Sequence, residues 1–238
     1  MRNLTVPERS WVLYDWANSA YSIAITTAIF PIFYKSITPD EIYVTTWGYA
    51  NSFASLLVAC MAPVLGTIAD YWLRKKRFFV AFFLMAVVTT CCLSLVGDGK
   101  WMLGLALYII SRVGWGGANV FYDAFLTDVT TEERMDWVSA SGFGWGYIGS
   151  TIPFVAGLGL ILSAEKLGLT TAGATRISFL ITGAWWAVFS LPMIRNVKQQ
   201  FGIDPSPTPI RDSFSRLGRT LRHIRGRRRV FLFLVAYF

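Results

Sequence analysis

Hydrophobic residues run through the chain in six long stretches, separated by short clusters rich in Pro, Gly, Asp, Glu, Lys and Arg. A helix rises about 1.5 Å per residue, and about 20 apolar residues cross a bilayer core. The pattern therefore predicts membrane-spanning helices over 11–34, 47–71, 78–96, 101–125, 137–162 and 177–194. The connections carry turn chemistry: Thr38-Pro39-Asp40-Glu41, Gly97-Asp98-Gly99-Lys100, Thr130-Thr131-Glu132-Glu133, and Leu167 to Gly173. The first stretch exceeds a signal-peptide core of about 7–15 residues and reads as an uncleaved span. Trp11, Trp47, Trp72, Trp101 and Trp137 fall at predicted span ends, where interfacial anchors are expected.

In two spans the polar residues are periodic. Asp15, Asn18, Ser19, Ser22 and Thr26 recur at helical spacing in span one, and Arg112, Gly116, Asn119 and Asp123 do so in span four. An ionisable group in a span costs about 2.5–3.5 kcal/mol on insertion scales, so both stripes should face protein or water. Spans three and six lack ionisable residues and are expected to face lipid. Two neighbouring carboxylates can share one proton, which makes proton coupling a reading of Asp15 and Asp123. The plainer reading is that Arg112 and the two aspartates neutralise one another as packing glue. Span five places Gly142, Gly146 and Ser150 four residues apart, ahead of Pro153. Small residues on one face let helices pack closely, although Trp145 and Tyr147 stand where they could reach a cavity.

Composition agrees with a membrane environment. Apolar residues make up 54% of the 238 and charged residues 15%, against about a quarter charged in soluble proteins. Cys60, Cys91 and Cys92 sit in apolar runs without ligand spacing, and His223 is the single histidine. These residues predict neither a metal site nor histidine base catalysis, and no cofactor or enzyme motif accompanies them. With the N-terminus in the cytoplasm, 17 of the 22 Lys and Arg fall on the cytoplasmic side, a strong positive-inside bias. The compact loops favour a bacterial inner membrane over an organelle.

Residues 195–229 read as a linker that contains the run Asp204-Pro205-Ser206-Pro207-Thr208-Pro209. Ile210, Phe214, Leu217, Leu221 and Ile224 then recur at helical spacing among arginines, a basic amphipathic helix suited to an anionic leaflet. Such a helix attracts other polyanions too, but nucleic acid is not the expected partner. Residues 230–238 are apolar and under half a span long, and are expected to begin a seventh helix that is cut off.

Gly66-Thr67-Ile68-Ala69-Asp70-Tyr71-Trp72-Leu73-Arg74-Lys75-Lys76-Arg77 resembles the signature loop of the major facilitator superfamily, with Leu73 where that pattern usually has glycine. Arg112-Val113-Gly114-Trp115-Gly116-Gly117-Ala118 resembles the superfamily's second signature. Trp11 to Tyr21, Asn119 to Leu126, and Ser139 to Gly149 are similar to a narrower branch, the autophagy-related vacuolar effluxer-like family.

The resemblance implies an all-α membrane protein. Residues 1–194 would form a six-transmembrane-helix bundle, the N-terminal half of a twelve-helix fold built as a 3+3 inverted repeat. It implies proton-coupled secondary transport of a small solute by alternating access, with amino-acid efflux as the analogy. Asp15, Asn18, Ser19, Ser22, Arg112, Asn119, Tyr122 and Asp123 would line the substrate and proton path. Gly66, Asp70, Arg74 and Lys75 would form a cytoplasmic gate against the C-terminal half, the expected partner besides solute and bilayer. Two other readings are a non-transporting scaffold or inactive transporter fragment, and an intramembrane aspartyl protease. The protease needs paired aspartates, but Phe121-Tyr122 precedes Asp123 where Gly-x-Gly would be expected.

Overall fold

The structure, a computed structural model, describes residues 3–70 and 74–202, with scattered positions between 215 and 232. Among the described residues the regular elements are helical. Helix α1 (Val6–Tyr21) continues through a π-helical turn (Ser22–Ala28) into α2 (Ile29–Ile37), and α3 (Asp40–Asp70) and α4 (Lys75–Cys92) follow. Beyond them lie α5 (Trp101–Ala124), the short α6 (Leu126–Val129), α7 (Met135–Leu162) and α8 (Thr171–Asn196).

Local chemistry explains the boundaries. The N-cap Thr5 accepts a hydrogen bond from the Glu8 amide, and the Glu8 carboxylate accepts one from the Thr5 amide at 2.8 Å, a capping box with Pro7 in the first turn. The π-helical turn precedes Pro31, which offers no amide and whose ring crowds the carbonyl four residues back. Thr27 Oγ1 donates to the Ser22 carbonyl at 2.9 Å across the widened turn. The first connection is tighter than its sequence suggests. Asp40 and Glu41 already belong to α3, where acids favour the helix N-terminus, and only Thr38 and Pro39 separate the helices.

Five segments are long and apolar enough to cross a membrane: Val6–Ile37, Asp40–Gly66, Lys75–Leu95, Glu132–Leu162 and Thr171–Asn196. The predicted fourth span, α5, is a 24-residue helix but falls short of the others in apolarity, since it carries Arg112, Asp123 and four glycines. It packs between α3 and α4, with Met102, Leu103 and Ile110 exposed.

Helices α1, α7 and α8 form one packed group and α3, α4 and α5 another, joined where α4 meets α8. Aromatic rings fill the joints. Trp186 of α8 is fully buried, with its ring centroid 5.5 Å from Tyr21 and 5.6 Å from Phe83. Nearby, Phe30 stacks on Tyr108 at 4.9 Å. Spans three and six are thus lipid-facing on one side only: Leu84, Val88, Leu180 and Val188 are exposed, while Phe79, Phe83, Phe179 and Trp186 are core. Trp11 is likewise no interfacial anchor. It is buried on Tyr122, because its indole N–H finds a carbonyl inside the bundle. Trp72, the basic amphipathic helix at 210–224 and the seventh helix from Val230 fall wholly or mostly outside the described residues.

Candidate functional site

Helices α1 and α7 touch through the glycine face read from span five. A methyl group on Gly146 would sit 2.8 Å from Ser19 Oγ and 3.2 Å from Asp15 Oδ2. One on Gly142 would sit 2.8 Å from the Trp11 ring. Only hydrogen fits at these positions, so the glycines let α7 lie directly over the polar stripe of α1. Trp145 packs on Trp16 with ring centroids 5.8 Å apart, whereas Tyr147 reaches a cavity.

That cavity, about 600 Å³, opens between α1, α5 and α7. Four members of the α1 stripe line it, Asp15, Asn18, Ser19 and Ser22, and from α5 come Trp115, Asn119, Tyr122 and Asp123. Phe143 and Tyr147, 67% and 73% exposed, stand on its α7 wall. The first and fifth helices barely touch through their backbones. Side chains span the gap: Trp11 Nε1 donates to the Tyr122 carbonyl at 2.9 Å, the Trp11 and Tyr122 rings stack at 4.4 Å, and the Tyr21 and Ser111 hydroxyls lie 2.8 Å apart. Ser19 Oγ donates to Asp15 Oδ1 at 3.3 Å. Asn18 Oδ1, Asn119 Oδ1 and the Tyr122 hydroxyl are buried without a protein partner. Each such group left unpaired costs about 1–3 kcal/mol, and all three belong to residues that line the cavity.

Arg112 lies elsewhere. It lines a second cavity of about 350 Å³ between α3 and α5, with Ser55, Gly116, Asn119 and Asp123 among its walls. Its guanidinium carbon is 4.4 Å from the Trp115 ring centroid, and its Nε is buried without a hydrogen-bond partner. Trp115, Asn119 and Asp123 belong to both cavities and form the wall between them. The whole α5 stripe therefore faces space, but only Asn119 and Asp123 share the cavity of Asp15, while Arg112 and Gly116 face away from it. Among the described residues Arg112 forms no ion pair with either aspartate. Asp15 and Asp123 share a cavity but make no hydrogen bond to each other.

The residues expected to form a gate are partly folded inward. Lys75 is buried; its Nζ pairs with Asp128 Oδ2 at 2.8 Å and donates to the Ala124 carbonyl at 3.1 Å. The other oxygen of Asp128 accepts the amides of Gln200 at 2.7 Å and Phe201 at 3.0 Å, fastening the chain beyond α8. Arg74 donates its amide to the Ala69 carbonyl, Gly66 has open space beside it, and the side chain of Asp70 is outside the described residues. A second lock stands at the same end. Glu8, 2% exposed in its side chain, accepts from Arg134 Nε and Nη2, both at 2.9 Å, and from Thr130 at 2.7 Å. Asp128 and Glu8 escaped the sequence reading. Both clues were available: the Thr5-to-Glu8 capping spacing, and an isolated acid directly after span four on the side that carries the basic cluster.

Long apolar helices around a polar, partly unsatisfied cavity define a multi-pass helical membrane protein. The chain belongs to the family described as "Vacuole effluxer Atg22 like", whose profile matches residues 41–133 and 127–238. It is 49% identical over its full length to "Uncharacterized MFS-type transporter YxiO" of Bacillus subtilis (strain 168), covering 57% of that protein. It is 28% identical to an "Uncharacterized protein" of Aquifex aeolicus (strain VF5), over 66% of this chain and 38% of the relative. "Autophagy-related protein 22" of Eremothecium gossypii is 23% identical over 69% of this chain and 36% of its own length. The chain thus spans little more than a third to little more than half of these relatives. No solved structure matches it.

Proposed function

We propose that the chain is the N-terminal six-helix half of a secondary transporter that moves a small solute across a membrane. The observation that carries this reading is that the ionisable residues within the spans, Asp15, Arg112 and Asp123, all line the cavities flanking α5, where lipid cannot solvate them. In this reading α5 is the sixth membrane-crossing helix, and the bundle is a 3+3 inverted repeat that rocks against a second bundle about a midplane site. Helix α3 supports the existence of such a partner. Only 11% of its most apolar window is buried, against 50% for the first span, and Val44, Tyr49, Phe53 and Leu56 are exposed along it.

Asp15, Asn18, Ser19, Ser22 and Tyr122 contact solute or proton on one side of α5, and Arg112 holds a fixed positive charge on the other. Asn119 and Asp123 face both sides. The N-terminus and the 195–229 linker lie in the cytoplasm, the membrane is a bacterial inner membrane, and Gly66, Asp70, Arg74 and Lys75 gate the cytoplasmic mouth. Amino acids, the solutes implied by the family resemblance, are the first to test. In proteoliposomes of the full-length protein, Asp15→Asn and Arg112→Ala should each abolish proton-driven flux while membrane insertion stays intact. Wild-type flux in both variants would remove the site assignment.

A further inference from the structure

We infer that the α1–α5–α7 cavity recognises its occupant through a protonated amine: it selects a small organic cation, and a carboxylate on the solute is not needed. This deepens the transporter reading and rests on it. Charge is the first ground. Asp15 and Asp123 both line the cavity, while no Lys, Arg or His is among its described lining residues. Arg112 stands in the neighbouring cavity on the other side of Trp115. Two fully buried acids elsewhere in the bundle stand in contrast. Glu8 has Arg134 and Asp128 has Lys75, each with further hydrogen-bond donors, whereas Asp15 accepts only from Ser19 at 3.3 Å. A half-buried carboxylate inside a membrane span calls for charged donors, and here the protein has left that role to whatever enters.

The second ground is independent of the carboxylates. Asn18 and Tyr122 are each 5% exposed, both line this cavity, and Asn18 Oδ1 and the Tyr122 hydroxyl have no protein partner. Asn18 Oδ1 can only accept, and the hydroxyl oxygen accepts as readily as it donates. An alkylammonium has three donors and no acceptor, the complement of these groups. The ring of Tyr147, exposed on the same walls, adds a face that attracts organic cations. A bare metal cation instead wants a cage of several oxygens, and no group of three His, Cys, Asp or Glu side chains able to hold one occurs among the described residues. A solute carboxylate placed here would meet two like charges.

The test uses three solutes with one apolar body and different charge: phenethylamine, phenylalanine and 3-phenylpropionate, with sodium chloride as an inorganic-cation arm. Binding to the purified full-length protein is read by tryptophan fluorescence, since Trp11 and Trp115 line the cavity. Phenethylamine should bind at least about tenfold more tightly than either of the others, and sodium should not displace it. Asp15→Asn and Asp123→Asn should each weaken phenethylamine by about tenfold or more. The wild-type series decides the matter even if a variant fails to fold. Equal or tighter binding of phenylalanine or phenylpropionate, or displacement by sodium, overturns the inference. A protein that binds the amine but moves no solute overturns only the transporter reading. One that carries zwitterions and ignores amines overturns only this inference.

Discussion

Replacing Asp128 by alanine removes the carboxylate that meets the Lys75 ammonium in a site from which water is almost excluded. The two side chains are 0% and 5% exposed, and their charged atoms are 2.8 Å apart. Breaking a buried pair by removing one partner costs about 3–5 kcal/mol, chiefly because the remaining charge is left uncompensated. The Ala124 carbonyl at 3.1 Å and the Phe125 ring at 5.4 Å soften this without replacing a carboxylate. The amides of Gln200 and Phe201 also lose their acceptor, but both residues are exposed and water takes its place, so their share is small. The expected loss is therefore about 3–5 kcal/mol in SDS-titrated unfolding of the detergent-purified protein. The double variant Lys75→Met with Asp128→Leu should recover most of it, because no buried charge remains. An Asp128→Ala protein as stable as wild type, or a double variant worse than both singles, would refute the reasoning.

Two further outcomes follow from local geometry. Gly146→Val should push α7 off α1 and cost about 1–3 kcal/mol in the same unfolding assay, while Gly144→Ala, with open space beside it, should change little. Thr5→Ala should remove the side-chain cap of α1 and cost about 1 kcal/mol, read in the same way.

Periodicity made the membrane helices and both polar stripes legible, because a side chain's direction on a helix is fixed by its number. Asp15, Asn18, Ser19 and Ser22 face one cavity, which Asn119 and Asp123 of the second stripe also line, while Arg112 and Gly116 face the neighbouring one. Spacing within one helix cannot tell which neighbour a stripe faces. The second stripe therefore reads as one face, whereas it is divided between two cavities: Asn119 and Asp123 meet Asp15, and Arg112 stays apart beyond Trp115. The charged locks were hidden for a related reason. Lys75 and Asp128 are 53 residues apart, and Glu8 and Arg134 126 apart, so their pairing depends on how whole helices dock. A tryptophan at a span end looks the same in sequence whether it meets headgroups or, like Trp11, a carbonyl inside the bundle. The π-helical turn before Pro31 is a case where the breaker was visible but its form was not, since a kink and a widened turn relieve the same clash.

Aqueous access to the α1 stripe tests the central claim most directly. In the full-length protein with its native cysteines replaced, single cysteines at Asn18, Ser22, Leu84 and Val188 are exposed to a membrane-impermeant methanethiosulfonate in intact membranes. The first two line the cavity and the last two lie on the outer apolar faces of α4 and α8. The account predicts modification at Asn18→Cys and Ser22→Cys, protection by bound solute, and none at Leu84→Cys or Val188→Cys. Inert cysteines at both cavity positions, in protein that is folded and inserted, would contradict it.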